Sequence, residues 1–337
     1  MRDVARRAGV SQPLVSLVIA GNPAARVAET TRQRILDAAR ELGYHPNVVA
    51  RALVRGRSFA VGVIIPDLRN PFFADVVSGA ERVAAAAGYA VLFCDAMEGS
   101  VERHVEALRA RQIDGIILDA VGAASLAEGT LADLNVVLID HPSEALHGVT
   151  SDAEGAGRLA AEHLLDLGHR HLAFLGPGSD VWAFRMRERG FVRGLRDAGL
   201  RLASDDLRRA PPTVQGGRAA MTQLLALPSR PTAVFCANDL MAIGALKACA
   251  AAGVAVPAEL SVMGCDDIES ARFLTPELTT VAVPGRELGA RAARQLLQLL
   301  DGVAVRASRP LPVRLAARGT TGPAPSRVPK GKARRQR

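Results

Sequence analysis

Polar side chains follow several short apolar runs in the middle and last parts of the chain. Asp67 and Asn70 come after AVGVII, Asp140 after VVLI, and Asp266 after LSVMG and one cysteine. Aspartate, asparagine and arginine can form paired hydrogen bonds with hydroxyl groups, and nearby aromatic rings can cover the apolar face of a ring. The combination predicts a site for a small polyhydroxylated ligand. The candidates selected in this way are Asp67, Asn70, Pro71, Phe72, Phe73, Asp140, Asp152, Trp182, Arg185, Arg187, Asn238, Asp239, Asp266 and Asp267.

Some of these side chains also have a structural explanation. Asp67 or Asp152 could cap the helix that follows it, and Asp267 could form an ion pair with a nearby arginine. Trp182 follows a strand closely enough to act as a stacking platform. Both interpretations stay open for each single residue, while the set as a whole favours a ligand site.

The elements that must position these residues begin at Phe59. From there, β-rich runs alternate with amphipathic helical stretches, and the runs include AVGVII, YAVLFC, GIIL, VVLID, HLAFLG, TAVFC and LSVMG. Nearly continuous apolar strands separated by helices are typical of parallel sheets covered on both faces. Their number exceeds one comfortable sheet, so we expect two doubly wound α/β halves with a ligand cleft at the carboxyl ends of the strands.

Composition and the absence of several motifs exclude other classes of protein. The four cysteines lie far apart with no C-x-x-C pair, which argues against zinc or disulfides and favours buried free thiols. No apolar run is long enough to cross a bilayer and no secretory signal is recognisable, so we expect a cytoplasmic protein. G-x-G-x-x-G after the first strand, a phosphate loop and G-x-S-x-G are all missing, and we therefore expect neither an enzyme nor a cofactor.

Three helical patterns fit within the first 47 residues. Val4, Ala5 and Ala8 share one face of a short helix that Gly9 ends. A second helix follows Ser11, whose hydroxyl matches an N-cap. Pro13 then lies in the first turn, where backbone N–H groups have no intrahelical acceptor to lose.

The second helix directs its two faces to different partners. Its predicted inward residues are Val15, Val18 and Ile19, and its outward residues are Gln12, Pro13 and Ser16. A third helix is predicted over residues 31–42, with Ile35, Leu36, Ala39 and Leu42 inward and Gly43 as its end. Helix, short glycine-containing turn and helix favour a helix-turn-helix, which reads the major groove. A small helical bundle with an incidental turn is the alternative.

A short basic segment follows this bundle. His45 and Pro46 break the third helix, and Asn47 can cap a helix over residues 48–54, which is too short to be stable alone in water. We expect it to fold when docked on DNA or on a second copy of the chain. Leu53 is then a candidate wedge into a minor-groove base step. An ordinary contact between linker and body is the alternative.

Charge is divided unevenly along the chain. Residues 1–58 carry +6, residues 321–337 carry +6, and the overall charge of +8 leaves residues 59–320 at −4. A basic start on an acidic body indicates a polyanionic partner, because lysine and arginine that neutralise phosphates release counterions. The Pro-, Gly- and Arg-rich tail at 321–337 is expected to be disordered.

DVARRAGVSQPLVSLVIAGNP and TTRQRILDAARELGYHPNVVARAL resemble the head and hinge of the lactose-repressor (LacI/GalR-type) family of bacterial transcription regulators. The resemblance implies base contacts by Gln12, Pro13 and Ser16, and phosphate contacts by Ser11 and Thr31. It also implies that Ala50 and Leu53 enter the minor groove, and we place Asn47 and Arg51 with them as DNA contacts. Leu14, Leu17, Ala20 and Ala28 depart from the usual pattern, so an operator sequence cannot be carried over from relatives.

The resemblance continues to about residue 320 through NPFFADVVSGAE, RMRERGF, RPTAVFCANDLMAIGAL and ELSVMGCDDIESARFLTPELTTV. These segments are similar to the family's sensor domain, which resembles type I periplasmic sugar-binding proteins. The resemblance implies Arg187 and Asp266 as the main effector contacts, surrounded by Phe72, Asp140, Phe235 and Asn238. Trp182 matches no fixed family residue.

Together these features predict a homodimeric DNA-binding repressor. We expect a helix-turn-helix domain at 1–45, a hinge at 46–58, an effector-binding and dimerisation domain of two Rossmann-like subdomains at 59–320 and the tail beyond. Two heads would read a pseudo-palindromic double-stranded operator, and a small molecule in the cleft would control them. A sugar or sugar derivative is the first expectation for this effector and a nucleobase or nucleoside the second. A solute-binding protein without a DNA role is a further alternative.

Overall fold

The computed structural model describes residues 1–19, 26–44, 56–98, 100–119, 130–131, 133–143, 146–179, 181–306 and 308–325. The chain forms two compact units, Met1–Phe59 and Ala60–Arg337. The predicted hinge contacts Asn47, Ala50, Arg51 and Leu53 lie outside the described residues, as does the chain from 326 onward.

The first unit contains three helices, α1 (Arg2–Ala8), α2 (Gln12–Ile19) and α3 (Glu29–Glu41). Gly9 ends α1 with φ 63°, a left-handed conformation that glycine adopts without steric cost, as predicted. α3 begins two residues earlier than expected. Ala28 at its N-cap makes no side-chain hydrogen bond, which agrees with the departure noted for this position.

The core of this unit joins all three helices. Its buried residues are Val4, Ala5, Ala8, Val15, Val18, Ile35, Ala38 and Ala39. Leu36 and Leu42, predicted to point inward, are 36% and 47% exposed. Leu36 lies about 100° around the helix from Ile35 and is therefore off the buried stripe. Leu42 has the spacing of that stripe but follows the last helical residue, Glu41.

The second unit has two lobes, each built on one sheet. The first sheet has the order β2-β1-β3-β4-β5 and is parallel throughout. Its strands are β1 (Ala60–Ile65), β2 (Ala90–Asp95), β3 (Gly115–Asp119), β4 (Asn135–Ile139) and β5 (His147–Val149). The helices of this lobe are α4 (Pro71–Ala86), α5 (Val101–Arg109) and, from much later in the chain, α10 (Gly285–Leu300).

The second sheet has the order β11-β10-β9-β8-β6-β7 and is parallel except for the β10–β11 pair. Its strands are β6 (Leu172–Gly176), β7 (Leu207–Arg209), β8 (Ala233–Cys236), β9 (Ser261–Asp266), β10 (Thr279–Ala282) and β11 (Arg314–Ala316). The helices are α6 (Ala153–Asp166), α7 (Trp182–Asp197), α8 (Val214–Leu225) and α9 (Asp239–Ala251). The predicted pair of doubly wound halves is thus confirmed.

The order of the described elements takes the chain between the lobes three times: after β5, after β10 and after α10. At the first and third crossings the two segments are paired. Leu311 N–H donates to the Thr150 carbonyl at 2.8 Å, and Asp152 N–H donates to the Leu311 carbonyl at 2.9 Å. These crossings place the carboxyl ends of both sheets at one cleft.

The segment after residue 320 differs from its prediction. Residues 321–325 bind to the second lobe: Gly322 N–H donates to Ser261 Oγ at 3.1 Å, and Ala324 N–H donates to the Leu167 carbonyl at 2.8 Å. Buried His169 also contacts the Gly322 carbonyl, at 3.1 Å. The body therefore extends at least to residue 325, because backbone groups there are paired with strands and helices of the lobe.

Candidate functional site

In the first unit, the predicted base-contacting face is accessible. Gln12, Pro13 and Ser16 are exposed on α2, while Val15 and Val18 on its other face are buried. The apolar spacing of α2 orients the helix, so the side chains of Gln12 and Ser16 lie on its outer face, where the Gln12 amide has one weak contact, with Met1 Sδ at 3.9 Å.

The two predicted phosphate contacts lie at helix starts. Ser11 precedes α2, is exposed, and accepts the Val15 N–H through its backbone carbonyl at 3.2 Å. Thr31 lies in the first turn of α3 and is half-buried. Helix starts carry a partial positive charge and favour anions.

In the second unit, the cleft holds a buried ion pair. Arg187 projects from α7 and Asp266 ends β9; their side chains are both 4% exposed, and Arg187 Nη2 lies 2.9 Å from Asp266 Oδ1. Arg187 Nη1 also donates to the Ala237 carbonyl at 2.6 Å. Arg187 Nε has no hydrogen-bond partner among the described residues, whereas Asp266 Oδ1 is held by the ion pair. The pair can therefore offer the Nε–H donor and the remaining lone pairs of the carboxylate to a ligand.

The position of Arg187 depends on two glycines. A Cβ atom on Gly157 of α6 would lie 1.9 Å from the Arg187 carbonyl oxygen, and one on Gly190 of α7 would lie 1.9 Å from the Glu154 carbonyl oxygen. The two helices consequently pack at backbone contact. Larger residues would push α7, and Arg187 with it, away from the lobe.

The loop that carries Asp266 is strained and supported from behind. Asp266 has φ 131° and Asp267 has φ 59°, both unusual for residues other than glycine. Asp239, completely buried at the start of α9, accepts the Ile268 N–H at 2.9 Å and the Thr280 hydroxyl at 2.6 Å. These bonds fix the end of β9 to its neighbours and hold Asp266 toward the cleft.

The first lobe contributes Asp140, which follows β4 with φ 48° and is buried. Ser151 holds its carboxylate: the Ser151 N–H donates to Oδ1 at 2.6 Å, and the hydroxyl lies 2.9 and 3.1 Å from the two oxygens. Asn70 caps α4 by accepting the Phe72 N–H at 3.2 Å. The rings of Phe72 and Phe73 meet edge to face at 5.4 Å.

These groups line a small cavity of about 40 Å³. Its lining consists of Asn70, Phe72, Phe73, Asp119, Asp140, Val181, Ala183, Phe184, Arg187 and Asp266. Pockets that hold drug-sized ligands usually enclose roughly 300–1,000 Å³. In this conformation the cleft is therefore closed, and a ligand requires the lobes or these side chains to separate.

Three predicted effector contacts do not line this cavity. Phe235 is completely buried with its ring 5.6 Å from Phe174 and 5.3 Å from Phe191, in the aromatic core between the sheet and α7. Asn238 caps α9 by accepting the Met241 N–H at 2.9 Å and donates to the Pro212 carbonyl at 3.1 Å. Trp182 begins α7 half-buried, one residue from two that do line the cavity.

Four lining residues were not selected from the sequence, and two of them, Asp119 and Phe184, carry a carboxyl group and an aromatic ring. Asp119 ends β3, so the rule applied to the other strands would have found it. Phe184 lies three residues before Arg187 on α7, and the two share a helix face, with the guanidinium carbon 5.5 Å from the ring centre.

Burial raises the pKa of three carboxyl groups around the cleft. It raises that of Asp239 to about 7, where repulsion by Asp266 adds to the shift. It raises that of Asp266 to about 6, although the charge of Arg187 opposes this effect. The pKa of Asp140 is also raised by burial, against the hydrogen bonds from Ser151. One guanidinium does not neutralise all three carboxylates, so some of these carboxyl groups hold a proton near neutral pH.

Asp152 and Asp267 have the structural roles that were left open, whereas Asp67 forms an ion pair and does not cap α4, whose N-cap is Asn70. Asp152 caps α6 by accepting the Gly155 N–H at 2.9 Å. Asp267 pairs with Arg272 and Arg318, and Asp67 with Arg69. Within the described residues no group of three or more potential ligands could hold a metal ion, and no helix is long and apolar enough to span a membrane.

Comparison with known proteins gives matches to both units. The family described as bacterial regulatory proteins, lacI family, matches residues 1–47, and the periplasmic binding protein-like domain matches residues 161–321. The HTH-type transcriptional repressor CytR of Escherichia coli K12 is 35% identical over 330 residues, which cover 95% of this chain and 96% of CytR. The HTH-type transcriptional repressor PurR of Mannheimia succiniciproducens is 33% identical over 307 residues, 88% and 91% of the two chains.

Solved structures agree. The lac repressor dimer bound to operator and the anti-inducer ONPF has a TM-score of 0.83 at 32% identity and covers 95% of this chain and 98% of its own. A complex of the regulator CelR with cellobiose has a TM-score of 0.70 at 29% identity, with 94% and 98% covered. A regulator from Enterococcus faecium with bound ribose has a TM-score of 0.71 at 28% identity, with 78% and 99% covered.

Proposed function

The chain belongs to the lacI family of bacterial regulatory proteins and is a transcriptional repressor. We therefore propose that a small hydroxylated effector binds between its lobes and controls its affinity for DNA. The observation that carries this proposal is the buried Arg187–Asp266 pair, in which Arg187 Nε has no hydrogen-bond partner among the described residues. Buried polar groups are almost always paired in folded proteins, so such a pair fits a ligand bearing hydroxyl groups.

A sugar or sugar derivative is the effector class we favour. Asp140, Asp266 and Arg187 line a cavity whose other walls include phenylalanine rings. Carboxylates and guanidinium bind adjacent hydroxyls, and the rings cover the apolar face of a pyranose or furanose. Two structural relatives are described as complexes with ribose and with cellobiose, which supports this class.

A nucleobase or nucleoside is the second candidate. Phe72, Phe73 and Phe184 line the same cavity, and flat aromatic rings stack on a base as well as they cover a sugar. A nucleoside would use both features, with its ribose on the carboxylates and its base among the rings.

DNA binding is assigned to the exposed face of α2. We propose that Gln12 and Ser16 contact base edges, that Pro13 packs against them, and that Ser11 and Thr31 contact phosphates. Two copies would read a pseudo-palindrome, with Asn47, Ala50, Arg51 and Leu53 at its centre. Effector binding can shift DNA affinity only by the ratio of its affinities for the two conformations of the body.

The single tryptophan provides the test of the cleft. Trp182 lies between Val181 and Ala183, both of which line the cavity, so its fluorescence should change when the cleft is occupied. Full-length protein is titrated with ribose, cellobiose, adenosine, cytidine and adenine. We expect one class to give saturable binding that Arg187→Ala weakens by about a hundredfold, since a charged hydrogen bond in a buried site contributes about 1.5–3 kcal/mol.

Two further variants control this experiment. Arg189→Ala removes an exposed arginine from the same helix, 3.6 Å from Glu154 at the surface, and should leave the affinity unchanged. Asp140→Asn keeps the side-chain volume and should still weaken binding if Arg187→Ala proves unstable. Unchanged affinity in both cleft variants would show that the effector binds elsewhere.

The DNA-binding face is tested separately by electrophoretic mobility shift with duplexes from the gene's own upstream region. Gln12→Ala should lose about 1–3 kcal/mol of discrimination between specific and non-specific duplex. Gln33→Ala, on an exposed part of α3, serves as the matched control. Equal loss in both variants would contradict the assignment of α2 as the base-reading helix.

A further inference from the structure

A second pocket lies behind the first lobe's wall of the cleft. It encloses about 430 Å³ between β5, the C-terminal half of α10 and the crossing segment that follows α10. We call it the crossover pocket; His141, His147, Thr150, Gln295, Arg306 and Ser308 are among its lining residues. Its volume is about ten times that of the closed cleft and lies within the range of pockets that hold small organic ligands.

Three buried polar atoms in this pocket have no hydrogen-bond partner within the described part of the chain. They are Gln295 Oε1, His141 Nδ1 and Ser308 Oγ. Gln295 is only 6% exposed, so its amide cannot turn out to bulk solvent. An unpaired buried polar group costs about 1–3 kcal/mol, and three in one pocket indicate groups arranged for a ligand.

The lining also has a distinct charge. Arg306 supplies a guanidinium and the two histidines supply imidazoles, while the described lining residues include no aspartate or glutamate. Hydroxyls of Thr150 and Ser308 add neutral donors. This combination is suited to an oxyanion, and the unpaired Gln295 Oε1 is suited to a hydroxyl on the same molecule.

We propose that the crossover pocket is a second ligand site, distinct from the cleft, that takes a small organic oxyanion bearing hydroxyl groups, such as a phosphorylated or carboxylated polyol. Its position connects it to the cleft by backbone. His141 directly follows Asp140, and Thr150 directly precedes Ser151, which holds the Asp140 carboxylate.

The test is calorimetric titration of the full-length protein with ribose 5-phosphate, with gluconate and with neutral ribose. The first two probes distinguish a phosphate from a carboxylate as the anionic group. We expect at least one of them to bind, and Arg306→Gln to weaken that binding by about tenfold or more, as the loss of a charge-assisted contact predicts. Arg309→Gln makes the same charge change three residues away, outside the lining, and should have no effect.

Variants in the two sites separate this proposal from that of the cleft. Binding of the anionic probe should persist in Arg187→Ala, whatever the outcome of the effector titrations. Loss of binding in Arg187→Ala together with full binding in Arg306→Gln would place the probe in the cleft and overturn the proposal. Absence of binding by both anionic probes at millimolar concentration would also overturn it.

Gln295→Leu distinguishes a ligand group from a packing defect. Leucine has a similar size and removes the unpaired amide, so the unliganded protein should be equally or more stable to heat, while the probe binds more weakly. A variant that binds the probe as tightly as the wild type would show that Gln295 does not face the ligand and would count against the site.

Discussion

The two walls of the cleft each carry an aspartate, but the hydrogen bonds and ion pairs around the two aspartates differ. In each lobe an aspartate with positive φ follows or ends a strand: Asp140 in the first and Asp266 in the second. Among the described residues, Ser151 provides the hydrogen bonds to the carboxylate of Asp140, and the crossover pocket opens behind it. Behind Asp266, the Thr280 hydroxyl donates a hydrogen bond to Asp239. The next residue, Asp267, forms an ion pair with Arg318.

This difference indicates which wall moves. A strained loop keeps its conformation only when many surrounding contacts fix it. In the second lobe, the buried hydrogen bonds around Asp239 provide such contacts. The first wall has an open volume behind it and few bonds to break. We therefore expect cleft opening to displace Asp140 and its crossing segments more than Asp266.

The largest effect that we expect is a pH dependence of the free energy of unfolding, and it tests the support of the second wall. The pKa of Asp239 is raised from an ordinary 3.8 to about 7, so the folded state holds a proton that the unfolded state has already lost between these values. Stability contributed by that proton is complete below about pH 4 and is lost as pH rises toward 7, by roughly 4 kcal/mol. Urea unfolding of wild type and Asp239→Asn across this range measures it.

We expect Asp239→Asn to lose most of this downward slope, even if its stability at any one pH differs. Asp197→Asn, an exposed change on α7, should retain the wild-type slope. Parallel curves for wild type and Asp239→Asn would show that Asp239 is ionised in the folded protein throughout.

The next effect is steric and compares a glycine from each wall. A Cβ on Gly264 of β9 would lie 2.1 Å from Asp239 Oδ1, whereas one on Gly148 of β5 would lie 3.0 Å from the His141 carbonyl oxygen. Gly264→Ala should cost about 2 kcal/mol and Gly148→Ala less than about 1 kcal/mol. Urea unfolding followed by Trp182 fluorescence tests the order, and a reversed order would mean that the first wall is the tighter one.

A smaller loss is expected from Ser151→Ala. The variant removes the hydroxyl and keeps the backbone N–H that donates to Asp140 at 2.6 Å, so the cost should be about 1 kcal/mol. Removal of the hydroxyl also raises the pKa of Asp140 further, because its hydrogen bond favours the charged form. Ser229→Ala, at an exposed position, is the control, and equal unfolding midpoints would indicate that Ser151 does not support the wall.

The smallest effect links the two cavities and rests on the proposed functions of both. Saturation of the crossover pocket with its anionic probe should change the affinity of the cleft for its effector by about fivefold, the lower end of typical couplings. The effector must change the affinity of the probe by the same factor. Trp182 fluorescence titrations with and without the probe measure the coupling. An unchanged effector affinity would show that the movement of the cleft does not extend to the crossover pocket.

Much of the architecture follows from local pattern. Alternation of apolar runs with amphipathic helices predicted the two parallel sheets. The search for polar and aromatic residues that follow strand ends selected six residues of the cavity lining, Asn70, Phe72, Phe73, Asp140, Arg187 and Asp266. Proximity to a strand end does not give the direction of a side chain. Phe235 therefore lies in the aromatic core and not in the cleft, and Asn238 caps a helix by accepting the Met241 N–H.

The sequence by itself determined the elements, their order and the edge of each sheet that carries polar groups, because periodicity, capping and turn preferences act over a few residues. Only the tertiary structure decided which of those groups meet, since folding brings together residues that are separated by many tens of positions along the chain. The closed cleft and the crossover pocket both result from that long-range packing. Arg187 finds Asp266, and Gln295 lies near His141, for reasons that no short stretch of sequence contains.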